Sequence, residues 1–220
     1  MDNLSLKKRF SDNASKWFIG FIIFYAVMDI AVIFFNLPAP IVDVTAAFLL
    51  LTSLFLLHLK FRFKRTVPIA AALSLFIHII GLIKLFPSAT WDGALYGAPQ
   101  LNYHYDWIAH SVGLGLYAIA ACSIFYLHLR KAFKNYFIIF LILLLSMMGI
   151  SAIHEAVEFL GYQTLGYGEG FLEFGAGDGL YTGGPWYNSS TDIISNFIGG
   201  VFFIGLFVLT KKYKKIKSKD

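Results

Sequence analysis

Six apolar stretches, each about 20 residues long, divide this chain, at about 17–37, 41–60, 67–86, 105–127, 136–161 and 191–210. At 1.5 Å of rise per residue, a helix of that length crosses a hydrocarbon core roughly 30 Å thick. Buried helices of water-soluble domains are rarely so long and so uniformly apolar. The composition agrees: 58% of the 220 residues are hydrophobic and only 14% are charged, far from soluble-domain usage. The expected fold is all-α, a polytopic membrane helix bundle of about six transmembrane helices in a single integral domain.

The positive charges set its orientation. Of the 18 Lys and Arg residues, all but Lys84 fall in alternate gaps: before the first stretch (Lys7, Lys8, Arg9, Lys16), between the second and third (Lys60, Arg62, Lys64, Arg65), between the fourth and fifth (Arg130, Lys131, Lys134), and after the sixth. The positive-inside rule then makes both termini cytoplasmic and turns 38–40, 87–104 and 162–190 outward, in a multi-pass protein of the plasma membrane. The net charge of +5 reads as topology plus attraction to an anionic inner leaflet, with no nucleic-acid partner. The first stretch is too long for a signal-peptide core and no small-residue cleavage site follows it, so it reads as an uncleaved anchor. Cys122 is the single cysteine. It allows no intrachain disulfide and has no Cys partner for a metal site.

Pro38-Ala39-Pro40 predicts a tight hairpin between the first two spans. The other outer loops, 87–104 and 162–190, are long, aromatic and glycine-rich, the composition of a functional or capping loop. Spans one to three do not repeat in spans four to six, which counts against an inverted-repeat transporter.

Ionisable residues at membrane depth are costly and are functional candidates by default. Here they group on helix faces near the outer ends. Asp106 and His110 are four residues apart on span four. Ser151, His154, Glu155 and Glu158 occupy an arc of roughly 100° on span five. Asp192 and Asn196 repeat the four-residue spacing on span six, followed by Gly199 and Gly200, which suit a close helix approach. Asp192 also follows Ser190 and Thr191, so it reads equally well as a helix N-cap. Asp29, Asp43 and His78 are secondary candidates. His58 and His128 read as interfacial.

Carboxylates and imidazoles on facing helices are how bundles build metal sites. Asp106, His110, His154, Glu155, Glu158 and Asp192 offer ligands suited to Zn²⁺, Mn²⁺ or Fe²⁺, or to Mg²⁺ if carboxylates dominate. Four carboxylates with no nearby cation except Lys84 would also need protons or a metal to offset their repulsion. His154-Glu155-Ala156-Val157-Glu158 is H-E-x-x-E, not the zincin H-E-x-x-H. Two other readings stay open: a proton or ion pathway, and a polar network that only ties spans four to six together.

These residues also carry a family resemblance. Asp106-Trp107-Ile108-Ala109-His110 resembles the D-x-x-x-H of the YjdF-like inner-membrane proteins, grouped near the VanZ-like membrane proteins. Glu155-Ala156-Val157-Glu158-Phe159 resembles their E-x-x-E-W/F, and Gly177-Asp178-Gly179 and Asp192 their G-D and D motifs. The similarity covers about residues 100–205, and His154 stands where the family often has an aromatic. The resemblance implies a six-span protein without a settled activity and, through the VanZ-like link, an envelope substrate.

The combined expectation is a metal-dependent hydrolase or transferase acting at the outer leaflet on a lipid or lipid-linked envelope substrate. Asp106, His110, His154 and Asp192 would bind the divalent metal. Glu155 or Glu158 would be the general base. Lys84 and Asp178 would contact substrate, Lys84 through a phosphate, or else snorkel to the interface. The alternatives are a small proton-coupled transporter and a non-enzymatic envelope or resistance factor.

Overall fold

The computed structural model describes residues 10–35, 41–82, 89–90, 94–95, 105–165 and 184–217. Its helices are α1 (Asn13–Phe34), α2 (Ile41–Phe61), α3 (Thr66–Leu82), α4 (Tyr105–Ile108), α5 (Gly115–Ala132), α6 (Tyr136–Leu165) and α7 (Gly184–Lys217). A π-helical segment, Ala109–Leu114, joins α4 to α5 without a break, so the three form span four. A two-stranded antiparallel ribbon, β1 (Ala89–Thr90) and β2 (Ala94–Leu95), pairs Ala89 with Leu95 in the link after α3. The Pro38–Pro40 turn lies outside the described residues.

The fold is an all-α polytopic membrane bundle. Among the described residues, five rods are long and apolar enough to cross a bilayer. The remaining one, α3, has 17 residues, about 25 Å of helix. At most 33% of the residues in any of the five apolar windows are buried. Their outer faces therefore carry large apolar side chains such as Ile33, Leu56, Leu145, Ile153 and Phe202, all more than half exposed. In water that surface would drive aggregation; against lipid chains it is matched to its solvent. Thr52, Ser146 and Thr210 donate their hydroxyls to the carbonyls of Phe48, Ile142 and Leu206 in their own helices, so these polar groups are satisfied without a partner across the bundle.

Two cores share span four. One gathers Phe18 and Tyr25 of α1, Val44 and Leu51 of α2, and Ala71 of α3 around Ala120. The other gathers Ala118 and Cys122 of α5, Ile139 and Met147 of α6, and Ile204 of α7. Tyr25 donates to the Ala72 carbonyl at 2.9 Å, locking α1 to α3. Thr45 donates to Asp29 at 3.1 Å. That bond explains Asp29 as a tie between α1 and α2.

The basic ends of the helices meet at one end of the bundle. Thr66 at the start of α3 bonds Ser123 in the middle of α5, and Lys211 of α7 lies over the Tyr126 ring of α5. The links there are short and self-capped. Arg62 takes a left-handed conformation (φ 56°), and its N–H reaches the His58 carbonyl. Arg130 donates to the Phe133 and Lys134 carbonyls, both at 2.7 Å.

His58, expected at the interface, is instead 1% exposed. Its Nε2 lies 3.1 Å from Ser15 Oγ and 3.3 Å from Asp12 Oδ2. Both partners approach the same ring nitrogen, so this is not a Ser–His–Asp relay, in which they sit on opposite nitrogens. Asp12 is the N-cap of α1 and accepts from the Ser15 N–H at 2.7 Å. Partial burial pushes the Asp12 carboxyl upward, but the Ser15 N–H and the neighbouring His58 outweigh it and hold the group below its ordinary value.

Candidate functional site

At the opposite end, three spans bring their polar faces together. His110 lies on the π segment of span four, Ser151 and Glu155 on α6, and Asp192 and Asn196 on α7. Ser151, Asp192 and Asn196 are fully buried, and Glu155 is 3% exposed. Every Lys and Arg among the described residues belongs to the other end of the bundle.

Backbone packing makes the approach possible. A methyl group on Gly199 would overlap the Ser111 carbonyl, so α7 lies directly on the π segment. One on Gly200 would meet Met147 Cε at 2.7 Å on α6. The two glycines thus seat α7 against both neighbours just beyond Asn196, as their sequence position suggests. A π segment inserts a residue into the helical register and is often found at functional sites. Here it carries His110.

Asn196 is the hub of the polar network. Its Nδ2 donates to Ser151 Oγ at 2.7 Å and to Glu155 Oε1 at 3.4 Å. An ionised carboxylate only accepts, so the amide NH₂ must face Glu155 and the amide oxygen must face His110. Asn196 Oδ1 is 3.2 Å from His110 Nδ1, which assigns the imidazole proton to Nδ1. On the other side of the ring, His110 Nε2 lies 3.9 Å from Asp192 Oδ2. His110 Nδ1 and Glu155 Oε1 are 3.6 Å apart.

One ligand atom from each of His110, Glu155 and Asp192 lies within 4.8 Å of the others. One borderline nitrogen and two hard oxygens form a donor set that Zn²⁺, Mn²⁺, Fe²⁺ or Mg²⁺ accepts. Asn196 supplies the outer support that such sites use, fixing the tautomer of the histidine and the rotamer of the carboxylate.

The other candidates are placed as follows. The His154 ring centroid is 5.9 Å from that of His110; it stands beside the three converging donors. Asp106 and Glu158 have their backbones in α4 and α6, and their side chains lie outside the described residues, as do Lys84 and Asp178 altogether. The N-cap reading of Asp192 is overturned, because α7 starts at Gly184 and Asp192 sits two turns inside it. Asn196 and Ser151 stood on the right faces in the sequence. Their roles were hidden because the bonds they make join α7 to α6.

A cavity of about 290 Å³ adjoins His110 and His154. Its other walls come from Ala46, Ala47 and Leu50 of α2, Ser74 and Leu75 of α3, Gly113 and Tyr117 of span four, and Ile150 of α6.

The family model described as "Predicted membrane protein (DUF2238)" matches residues 14–213. The chain belongs to that family. DUF2238 is the domain of the YjdF-like proteins, and the match takes in spans one to three, which the motif resemblance left out. The VanZ-like relation is not part of it. No curated protein and no solved structure matches the chain. Membership fixes a multi-pass integral membrane protein and leaves the reaction to be argued from the site.

Proposed function

We propose that this DUF2238 protein is a metal-dependent membrane hydrolase or transferase acting on a lipid or lipid-linked envelope substrate. The observation that carries the reading is the convergence of His110, Glu155 and Asp192, from three spans, into one buried donor set. A network meant only to join helices gains little from charged groups, since interhelical hydrogen bonds in membranes are worth about 0.6–2 kcal/mol each. A divalent cation beside the imidazole would offset the repulsion between these two buried carboxylates.

His110 Nε2, Glu155 and Asp192 would hold the metal, with Asn196 orienting the first two. A divalent metal at such a site polarises a phosphoryl or carbonyl oxygen and lowers the pKa of water. Glu158, one turn beyond Glu155, and His154, beside His110, are the groups to accept a proton. Asp106, one turn before His110 in sequence, is a further ligand candidate. Lys84 and Asp178 are kept as substrate contacts on their sequence positions.

The orientation proposed is cytoplasmic for the basic end and extracytoplasmic for the site, in the plasma membrane. Proteoliposomes offered polyprenyl phosphates and phospholipids, with and without a chelator, test the reaction class. Turnover that stops with chelator and returns with Zn²⁺ or Mn²⁺ supports it; turnover indifferent to chelator refutes it. A transport pathway finds less support. Ser146 and Thr210, polar residues in the inner halves of spans five and six, are bonded to their own helices.

A further inference from the structure

The cavity beside His110 and His154 has a composition that the metal site does not need. Apart from the two histidines, Ser74 and Tyr117, its walls are alanine, glycine, leucine and isoleucine. Small residues line it on two sides, Ala46 and Ala47 of α2 and Ala109 and Gly113 of span four. From His110 to Tyr117 it follows span four for seven residues, roughly 10 Å of depth toward the membrane centre.

Its mouth opens to the bilayer. Leu50 and Ile150 line the cavity and are 37% and 42% exposed, on α2 and α6. These helices belong to different halves of the molecule: α2 packs on α1 and α3, α6 on α7 and α5, with no substantial α2–α6 packing among the described residues. The gap between them lies within the apolar spans, so the medium at the mouth is hydrocarbon.

We propose that this groove binds the hydrocarbon chain of a membrane amphiphile, which enters sideways between α2 and α6 and brings its head group to His110 and His154. This rests on the proposed function only for what happens to the head group; chain binding stands or falls alone. Lipid tails are as apolar as the groove, so no hydrophobic gain drives entry. Selectivity comes from fit to the narrow Ala/Gly-lined channel and from polar contacts at its histidine end.

The test is photo-crosslinking of the full chain in phosphatidylethanolamine–phosphatidylglycerol proteoliposomes containing a phosphatidylglycerol with a mid-chain diazirine. Adducts are mapped by peptide mass. Expected are adducts concentrated on 46–50, 113–117 and 150, and a several-fold loss of them in Ala46→Phe, which fills the groove. Ile150→Trp, at the exposed mouth where folding is least affected, should give the same loss. Ile153→Trp, 67% exposed on α6 and not part of the lining, should not. Adducts spread evenly over exposed positions such as Ile33 and Leu56, or unmoved by both Ala46→Phe and Ile150→Trp, overturn the proposal. Asp192→Asn separates the two readings. Groove adducts that persist in a variant without metal uphold chain binding whatever becomes of the enzyme reading, and a metal-loaded wild type without groove adducts refutes chain binding alone.

Discussion

Asn196 joins His110, Ser151 and Glu155, so one amide holds three spans in register. Asn196→Leu fills the volume but removes a donor and an acceptor from a buried network. It should lower stability by about 1–3 kcal/mol and weaken divalent-metal affinity roughly 10–100-fold, read by thermal unfolding in detergent and by metal titration. An Asn196→Leu protein that binds metal as tightly as the wild type would remove the amide from its supporting role. At the other end of the bundle, Asp12 makes a pH prediction. Its carboxyl is lowered in the folded protein, so its contribution is complete above the unfolded value of about 3.9 and lost as pH falls through the lower folded value. The gap in melting temperature between wild type and Asp12→Asn should therefore close as pH falls below about 4. A gap that widens in acid would contradict this assignment.

At the scale of elements, α7 against the π segment is the most demanding contact. Gly199→Ala pushes a methyl into the Ser111 carbonyl, where backbone cannot yield, and should destabilise by about 1–3 kcal/mol while separating Asp192 from His110. Gly20, with open space around it, is the contrast: Gly20→Ala should leave stability unchanged or raise it by at most about 1 kcal/mol. Equal melting temperatures for the two variants would argue against the close seat of α7. The same elements show what the sequence could and could not reveal. Span existence was legible because hydropathy over 20 residues is an additive property. The end of α7 was not, since Tyr187-Asn188-Ser189-Ser190-Thr191 is polar enough to resemble a start signal, yet lies within the helix from Gly184 onward. Face arithmetic at about 100° per residue brought Glu155 and Asp192 forward as candidates. It could not foresee the π segment at His110, whose register departs from that angle. His58 was misread because its partners, Ser15 and Asp12, lie on another helix more than forty residues away.

At the scale of the whole molecule, the ends of the bundle differ in kind. One gathers the basic links, the other a buried carboxylate–imidazole cluster, with two apolar cores between them. Cys122 sits in the second core, 1% exposed. A membrane-permeant maleimide should label it only after denaturation, whereas a water-filled path through spans four to six would expose it in the native protein. The central claim concerns the cluster itself, and metal content of the detergent-purified protein beside Asp192→Asn tests it most directly. The expected result is about one divalent ion per chain in the wild type, as a single three-donor site holds, and its loss in a variant that keeps its helical content. A wild type that remains metal-free after incubation with Zn²⁺, Mn²⁺, Fe²⁺ and Mg²⁺ would contradict it, and would make His110, Glu155 and Asp192 a protonated structural network.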